Sequence, residues 1–400
     1  MPLAGVRVLD FSRYAAGPFC TRLLAEYGAD VVKVEQPGTG DPVRKWQPFA
    51  NDIEDQEHSL VHLHVNAGKR SVTLNLATAE GQRIARTLAG EADILVESSR
   101  PGKMREFGLS YEEIREINPA LLYVSISNFG QTGPYRDYES SELIAYAMGG
   151  PMHATGHIDR EPLKLAGNIT QYQAGAVAAY ATMAGLWRAE DTGEGDHVDV
   201  SLYEAAMGSR DRRTVHLTAY AYTGSPSKRV TDGVSLGSGF RPTADGYIML
   251  AGYGKRLPSL LRLIGREDLL EDPRTATPSS AVDPEYVDEV ETSYVTWSAS
   301  RQKAEALREA QEQHLVGASL NTVADLFTDP HFSERAPWED VDHPAVGAYR
   351  AVGRPFQMSG GARRSGMRAP LLGEHTDEVL HGELGFSREE IAELRSGGVI

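Results

Sequence analysis

The sequence predicts an α/β protein with a mostly parallel sheet in its first two hundred residues, followed by a second region of different texture. Three observations carry this. β-branched apolar runs alternate with helically spaced segments over the first hundred residues, the pattern of repeated strand–helix–strand units. At about residue 225 the chain changes to short strands and acidic helices. A chain of 400 residues, 41% hydrophobic and 24% charged, has an ordinary globular composition and is long enough for two or three cores.

The elements follow in order. Residues 6–11 (Val6-Arg7-Val8-Leu9-Asp10-Phe11) read as a strand, and Pro18 then stands where the first turn of a helix tolerates it. Residues 19–27 have helical spacing, and Gly28 stops that helix before a strand at 29–35, giving one unit with a right-handed crossover. A second unit comprises strand 71–76, helix 79–91 and strand 94–96, and a third ends in strand 121–127. The apolar stretch 174–187, interrupted only by Tyr180 and Thr182, is too short to span a bilayer and reads as a helix buried in a core. A turn at 191–195, a strand at 197–202 and a long helix-like stretch at 203–222 lead into the linker candidate Gly224-Ser225-Pro226-Ser227. A strand at 246–251 lies in the second region, and a helix from Ser387 closes the chain. No internal repeat or heptad array is present.

Charge and motifs narrow the function. With 56 acidic against 40 basic residues the formal net charge is −16, which repels phosphate backbones and anionic lipid. No nucleic-acid or membrane partner is expected, although a small basic pocket for an anionic ligand is compatible. Cys20 is the single cysteine, so neither an internal disulfide nor a thiolate metal site can form. Its place on the apolar side of the first helix predicts a buried, inert thiol. The start Met1-Pro2-Leu3-Ala4-Gly5-Val6-Arg7 lacks the basic-then-apolar order of a secretory signal, so a cytoplasmic protein is expected.

The familiar short motifs fail. Glu35 stands where a ribose-binding acid would, but the turn Arg13-Tyr14-Ala15-Ala16-Gly17-Pro18 has one glycine where a dinucleotide fingerprint needs three. His62-x-His64 reads as one exposed strand face without a third ligand, and His153 and His157 lie in loop composition, so no metal is expected. Ser225-x-x-Lys228 is linker, and Asn168-Ile169-Thr170 is an idle sequon.

Longer strings are more specific. Leu3-Ala4-Gly5-Val6-Arg7-Val8-Leu9-Asp10, Ala16-Gly17-Pro18-Phe19-Cys20-Thr21 and Gly28-Ala29-Asp30-Val31-Val32-Lys33-Val34-Glu35 open a series. It continues through Gly40-Asp41-Pro42 with Arg44, Lys69-Arg70-Ser71-Val72, Arg100-Pro101-Gly102 and Gly130-Gln131-Thr132-Gly133-Pro134-Tyr135. Thr192-Gly193-Glu194-Gly195-Asp196-His197-Val198-Asp199-Val200-Ser201 and Ala369-Pro370-Leu371-Leu372-Gly373-Glu374-His375-Thr376 complete it. Together they resemble the class III (CaiB/BaiF-type) CoA-transferases, the family that includes formyl-CoA:oxalate and carnitine CoA-transferases and the α-methylacyl-CoA racemases. The resemblance runs the length of the chain and is weak only from about 225 to 340.

The resemblance implies a large Rossmann-like CoA-binding domain (1–200), a helical linker (201–224), an inserted small α+β domain (225–340) and a C-terminal segment returning to the large domain (341–400). It further implies an interlocked dimer. In the family's transferases one aspartate attacks the acyl-CoA carbonyl, forming a mixed anhydride and then a carboxyl–CoA thioester from which an incoming carboxylate collects CoA. A carboxylate suits this relay because it is both nucleophile and leaving group.

Here the chain departs from its relatives. The family aspartate lies four residues before the glycine of the buried helix, and Gln171-Tyr172-Gln173-Ala174-Gly175 puts Gln171 there. A carboxamide is a feeble nucleophile and neither acid nor base. The nearest carboxylate in the family frame is Glu142, in Ser141-Glu142-Leu143-Ile144-Ala145. It either replaces the nucleophile, orients Gln171, or simply satisfies backbone N–H groups at a helix start. By resemblance Tyr14, Ala15 and Ala16 form the loop approaching CoA, and Leu74 lies near the adenine. Ser98 and Ser99 replace the usual Asn-Phe before Arg100, while Gln36 or Glu106 stands where a phosphate-binding base is common. Arg100, Lys103 and Arg105 remain as nearby cations, and Gly237-Ser238-Gly239 corresponds to a glycine-rich loop or a plain turn. The implied function is CoA transfer between an acyl-CoA and a carboxylic acid, via Glu142 or in a heterodimer with an Asp-bearing paralogue. The alternative is an acyl-CoA-binding or isomerase-type homologue without the covalent step.

Overall fold

The computed structural model describes residues 1–207, 212–226, 229, 236–276, 283–360 and 366–400, the side chains of 212–216 excepted. Lys228, of the Ser225-x-x-Lys228 motif, lies outside the described residues. The chain divides into two compact units, Met1–Val230 with Pro337–Ile400, and Thr231–Ala336.

The first unit opens with β1 (Arg7–Phe11), α1 (Ala16–Glu26), β2 (Asp30–Glu35), α2 (Leu60–Val65), β3 (Arg70–Thr73), α3 (Ala79–Gly90) and β4 (Ile94–Glu97). It continues through α4 (Lys103–Glu106), α5 (Tyr111–Ile117), β5 (Leu122–Ser127), α6 (Glu142–Met148), α7 (Ile169–Thr192), β6 (His197–Ser201), α8 (Leu202–Met207) and α9 (Arg212–Thr223). The six strands form one sheet in the order β3-β2-β1-β4-β5-β6, every pairing parallel. Both faces are covered, which explains why every residue of β4 and β5 is buried, Glu97, Ser125 and Ser127 included. Leu9, Phe11, Leu95 and Tyr123 point to one core with α3 and α5, and Val8, Ile94, Val96 and Val124 point to another with α1 and α7.

The second unit holds β7 (Ser238–Thr243), β8 (Gly246–Ala251), α10 (Leu257–Leu263), α11 (Pro284–Ala299), α12 (Lys303–Glu312), β9 (Val316–Ser319), α13 (Val323–Thr328) and α14 (Pro330–Arg335). Its three strands are antiparallel, and Ile248, Leu250, Leu260, Tyr286, Val290 and Tyr294 build a separate core. The chain then adds to the first unit a hairpin of β10 (Trp338–His343) and β11 (Gly347–Val352), then α15 (Thr376–Gly382) and α16 (Arg388–Ser396). Ser387 caps α16 through a reciprocal box with Glu390, and Val399 and Ile400 end in the α3-side core.

Several sequence expectations are corrected. The first helix begins at Ala16, three residues early, because Gly17 is packed against the end of β1: a Cβ there would stand 2.2 Å from Ser12 Cβ. His62 and His64 lie on helix α2, not on an exposed strand. His62 is fully buried, its Nδ1 meeting Asn66 Nδ2 at 3.0 Å and its Nε2 lying 3.3 Å from Pro370 O, and burial holds it neutral. Within 203–222 the described residues form α8 and α9, and residues 208–211 of that expected helix lie outside the described residues.

The apolar helix α7 is buried on one face only. Ala174, Gly175, Ala178, Thr182, Leu186 and Ala189 pack inward, while Tyr180 and Trp187 are 63% and 76% exposed. Cys20 is buried as expected, and burial pushes its thiol up to about 12.

The inward face of α7 is lined with small residues because it lies directly on α1. A Cβ on Gly175 would stand 2.5 Å from Ala16 O and 3.2 Å from Phe19 Cδ1. Since the first of these is backbone, Gly175→Ala is expected to force the helices apart and cost about 1–3 kcal/mol, measured by urea denaturation. An unchanged midpoint would contradict this packing.

Candidate active site

In an open parallel sheet, ligands sit outside the carboxyl ends of the strands where the chain order reverses. Here that point lies between β1 and β4, whose last residues Phe11 and Glu97 are register partners. The loop after β1 carries Tyr14, Ala15 and Ala16, and the loop after β4 carries Ser98, Ser99 and Arg100. Ser98 Oγ joins them, accepting from Arg13 N–H at 2.8 Å and lying 3.2 Å from Arg13 O.

A buried ionic bed fixes the first loop. Asp10, at the end of β1, accepts from its neighbour Ser12, from Thr21 Oγ1 at 2.6 Å and from Lys69 Nζ at 3.0 Å. Burial works to raise its pKa, but Lys69, Lys33 and the hydroxyls overcome it and hold the carboxyl at about 2. Lys33 Nζ donates to Ser12 O at 2.7 Å and pairs with Asp41 at 2.9 Å, and Asp41 Oδ1 accepts Tyr14 N–H at 3.0 Å. Asp41 N–H reaches Glu35, which is gripped in a fork by Arg44 Nε at 2.8 Å and Nη2 at 2.9 Å. Tyr14 is thereby held at φ 67°, in the left-handed region, with its side chain exposed. Glu35 is thus committed to Arg44 and Ser71. None of these charged residues was assigned a role from sequence. The available signal was ionisable side chains in strands otherwise made of valine.

Gln171 stands on the far side of this loop, in the first turn of α7. Its Oε1 accepts Ala15 N–H at 3.3 Å, which fixes the orientation of the carboxamide and leaves Nε2 as its donor. Glu142 lies beneath. Its Oε1 accepts Thr170 N–H at 2.9 Å and its Oε2 accepts Gln171 N–H at 3.2 Å, while Lys164 Nζ is 3.9 Å away. Glu142 also opens α6, so one carboxylate serves the positive ends of two helices. Tyr14, Ala15, Ala16, Gln171 and Glu142 therefore converge on one edge of the switch point, and Ser98 borders it.

Other candidates are placed differently. Leu74 is fully buried in the α3-side core. Ser99 Oγ points to Met104 Sδ at 3.6 Å. Arg100 pairs with Glu139, Lys103 with Glu106 at 2.6 Å and Arg105 with Glu112 at 3.4 Å, all on exposed surface. Each of the three cations thus has an acidic partner on the surface, in pairs of the weak, solvent-screened kind. Gly237, at φ 66°, turns the chain into β7 and donates its N–H to Glu291 at 2.8 Å; Ser238 and Gly239 belong to that strand. His153 lies on a single 3-10 turn. Among the described residues no group of three His, Cys, Asp or Glu side chains could hold a metal, and no helix is long and apolar enough to cross a membrane.

Fold and site define an α/β protein with a doubly wound parallel sheet and its ligand loops at the switch point. The family model of CoA-transferase family III matches residues 3–376, and the chain belongs to that family. It is 32% identical to succinyl-CoA–D-citramalate CoA-transferase of Chloroflexus aurantiacus, over 100% of this chain and 98% of that one. It is 34% identical to formyl-CoA:oxalate CoA-transferase of Streptomyces avermitilis, over 100% and 99%. A solved CaiB/BaiF family protein from Brucella suis superposes with a TM-score of 0.83 at 31% identity, covering 96% of this chain and 99% of that one.

Proposed function

We propose that this protein is a cytoplasmic acyl-CoA:carboxylate CoA-transferase that works with an Asp-bearing partner subunit. The observation that carries the reading is the geometry of Gln171 and Glu142. At the position matched to the family aspartate stands an amide oriented by Ala15 N–H, able to donate from Nε2 to a thioester carbonyl. The neighbouring carboxylate has both oxygens engaged by the α7 N-terminus. A carboxylate so held has its oxygens committed to the α7 backbone and is weakened as a nucleophile. The chain's own residues then bind and polarise the acyl-CoA: α1 presents its N-terminus at the switch point, and Gln171 engages the acyl oxygen. The attacking carboxylate comes from the partner.

A dimer of the family's interlocked kind, with residues 225–340 as a small inserted domain, fits this reading. The outer face of α7 exposes Tyr180, Met183, Ala184 and Trp187 at helical spacing, and α9 exposes Leu217, Tyr220 and Tyr222. A single chain leaves these surfaces in water.

The test is exchange of CoA between a panel of acyl-CoAs and carboxylic acids, followed by mass spectrometry of the CoA esters. The chain alone is expected to bind acyl-CoA with little exchange, and the chain purified with an Asp-bearing paralogue to exchange rapidly. Robust exchange by the isolated chain that is abolished by Glu142→Gln would instead make Glu142 the nucleophile.

A further inference from the structure

Glu97 ends β4 at the switch point, on the sheet face opposite the ionic bed, and no step above uses it. It is only 4% exposed. Its Oε2 accepts the backbone N–H of Ser99 at 2.7 Å, closing the loop that carries Ser98, and Ser98 in turn grips the β1 loop. On the other side Glu97 is hydrogen-bonded to the hydroxyl of Ser125 on β5. Ser125 Oγ lies 2.9 Å from Nε2 of the half-buried His197 on β6, whose ring stacks on Tyr111 at 5.0 Å. A chain of polar groups therefore runs from the partly exposed edge of the sheet, beneath its carboxyl ends, to the ligand loops.

Among the described residues no cation is paired with this carboxyl. The groups acting on it are Ser99, Ser125 from β5 and Asp199 from β6; Tyr123 of β5 lies within its field together with Glu112 and Glu113 of α5, His197 lies beyond Ser125 with Asp199, Glu112 and Asp196 around it, and its β1 register neighbour is Phe11. Burial, with Asp199 adding to it, pushes the acid up to about 7 against the hydrogen bonds from Ser125 and Ser99. This is the reverse of Asp10, which lies one residue from the end of the adjacent strand between two lysines.

From this arrangement we infer that Glu97 is a positioning residue that couples CoA binding at the switch point to uptake of a proton. The inference rests on the reading of that crevice as the CoA site. CoA brings several phosphate charges to loops that Glu97 holds from below. Ionised Glu97 repels them through a poorly hydrated interior, and protonated Glu97 does not. By linkage, bound CoA raises the affinity of Glu97 for its proton, and affinity for CoA falls as pH rises through neutrality. The hydrogen bonds survive either state. Protonated Glu97 donates to Ser125, which passes its own hydrogen to His197 Nε2; ionised Glu97 accepts from Ser125, whose oxygen then accepts from Nε2–H. The coupling therefore acts through charge and not through collapse of the loop.

The test is the dissociation constant of CoA from pH 5.5 to 8.5 for the wild-type full chain and for Glu97→Gln, which keeps the shape and removes the titration. CoA's own phosphate titration is common to both proteins and cancels. Wild-type affinity is expected to fall about fivefold more than that of the variant between pH 6 and pH 8. Calorimetry in two buffers of different ionisation enthalpy should show fractional proton uptake near pH 7 in the wild type and less in Glu97→Gln. Ser125→Ala, which removes a donor to the ionised acid, should move the wild-type midpoint upward, and it serves as the second variant if Glu97→Gln fails to fold. Identical pH profiles in wild type and Glu97→Gln, or a midpoint unmoved in Ser125→Ala, overturn the inference while leaving the CoA site standing. Absence of CoA binding in every protein overturns the site reading and this inference with it.

Discussion

Gln171→Asp is expected to give the isolated chain a protein-bound acyl adduct and to raise its CoA exchange by on the order of 100-fold, the scale at which a positioned ionisable side chain contributes. The site is ready for the change. Ala15 N–H already points at the side-chain oxygen of residue 171, and the first turn of α7 favours an anion there. Glu142 holds the backbone N–H groups of residues 170 and 171, so the side chain is the only part exchanged. Aspartate is one methylene shorter than glutamine and, on the reading proposed above, places a nucleophilic carboxylate where the carboxamide now stands. Exchange measured by mass spectrometry of the CoA esters, with intact-protein mass for the adduct, reads the result. If the variant is no faster than the wild type, position 171 is not where chemistry occurs.

The second large effect concerns stability. Arg44 is completely buried and holds Glu35 through two bonds and Glu57 through a third at 2.8 Å. Arg44→Met is expected to cost about 3–5 kcal/mol, because it leaves the Glu35 carboxylate buried without its counter-ion. Adding Glu35→Gln should recover much of the loss, and urea denaturation of the single and double variants measures the coupling. A single variant within about 0.5 kcal/mol of wild type would show that the pair is structurally idle. The damage should reach the ligand loops, since Glu35 positions Asp41 and Asp41 holds Tyr14. The same bed sets the acid limit. Glu35 and Asp10 are held below the usual carboxylate range, so their contribution is complete above about pH 4 and is lost as pH falls, for Asp10 through about 2. Glu97 has the opposite sign: its raised pKa removes stability as pH climbs from about 4.5 to about 7.

Much of the architecture was legible in the chain itself. Alternation of valine-rich runs with helical segments identified every strand of the large sheet, and the closing helix was placed from Ser387, where the structure shows it capped together with Glu390. The strand order was not legible, because periodicity reports which residues are buried and not which strands are neighbours. It is that order which makes a crevice of the loops after Phe11 and Glu97. The histidines of α2 were misread because His-x-His alternation imitates a half-exposed strand. The helix is set instead by the Ser59 cap, whose side chain accepts from His62 N–H, and by burial of the His62 imidazole, with the half-buried His64 against Arg22. Tyr180 and Trp187 were taken as interior because apolar composition cannot distinguish a core from a surface awaiting a partner.

In the site, Gln171 and Glu142 were found through resemblance, but whether Glu142 attacks or supports could not be read from residue type. The two backbone N–H groups it accepts, from Thr170 and Gln171, become visible only in the fold, and the supporting role proposed above rests on them. Arg100, Lys103 and Arg105 show what spatial neighbours add to a linear reading. Clustered in sequence, they suggest an anion site, yet each has an acidic neighbour in space. Glu97 escaped notice because nothing in a linear reading distinguishes an acid at the end of a buried strand from the salt-bridged acids at the ends of its neighbours.

The account turns on where the reactive carboxylate resides, and hydroxylamine trapping answers that directly. The purified chain, with and without an Asp-bearing paralogue, is incubated with mixed acyl-CoAs and hydroxylamine, which converts an activated carboxyl to a hydroxamate that peptide mapping locates. The account predicts no hydroxamate on this chain although it binds CoA, and a single label on the partner's aspartate when the two are combined. A hydroxamate on Glu142 in the isolated chain would contradict it.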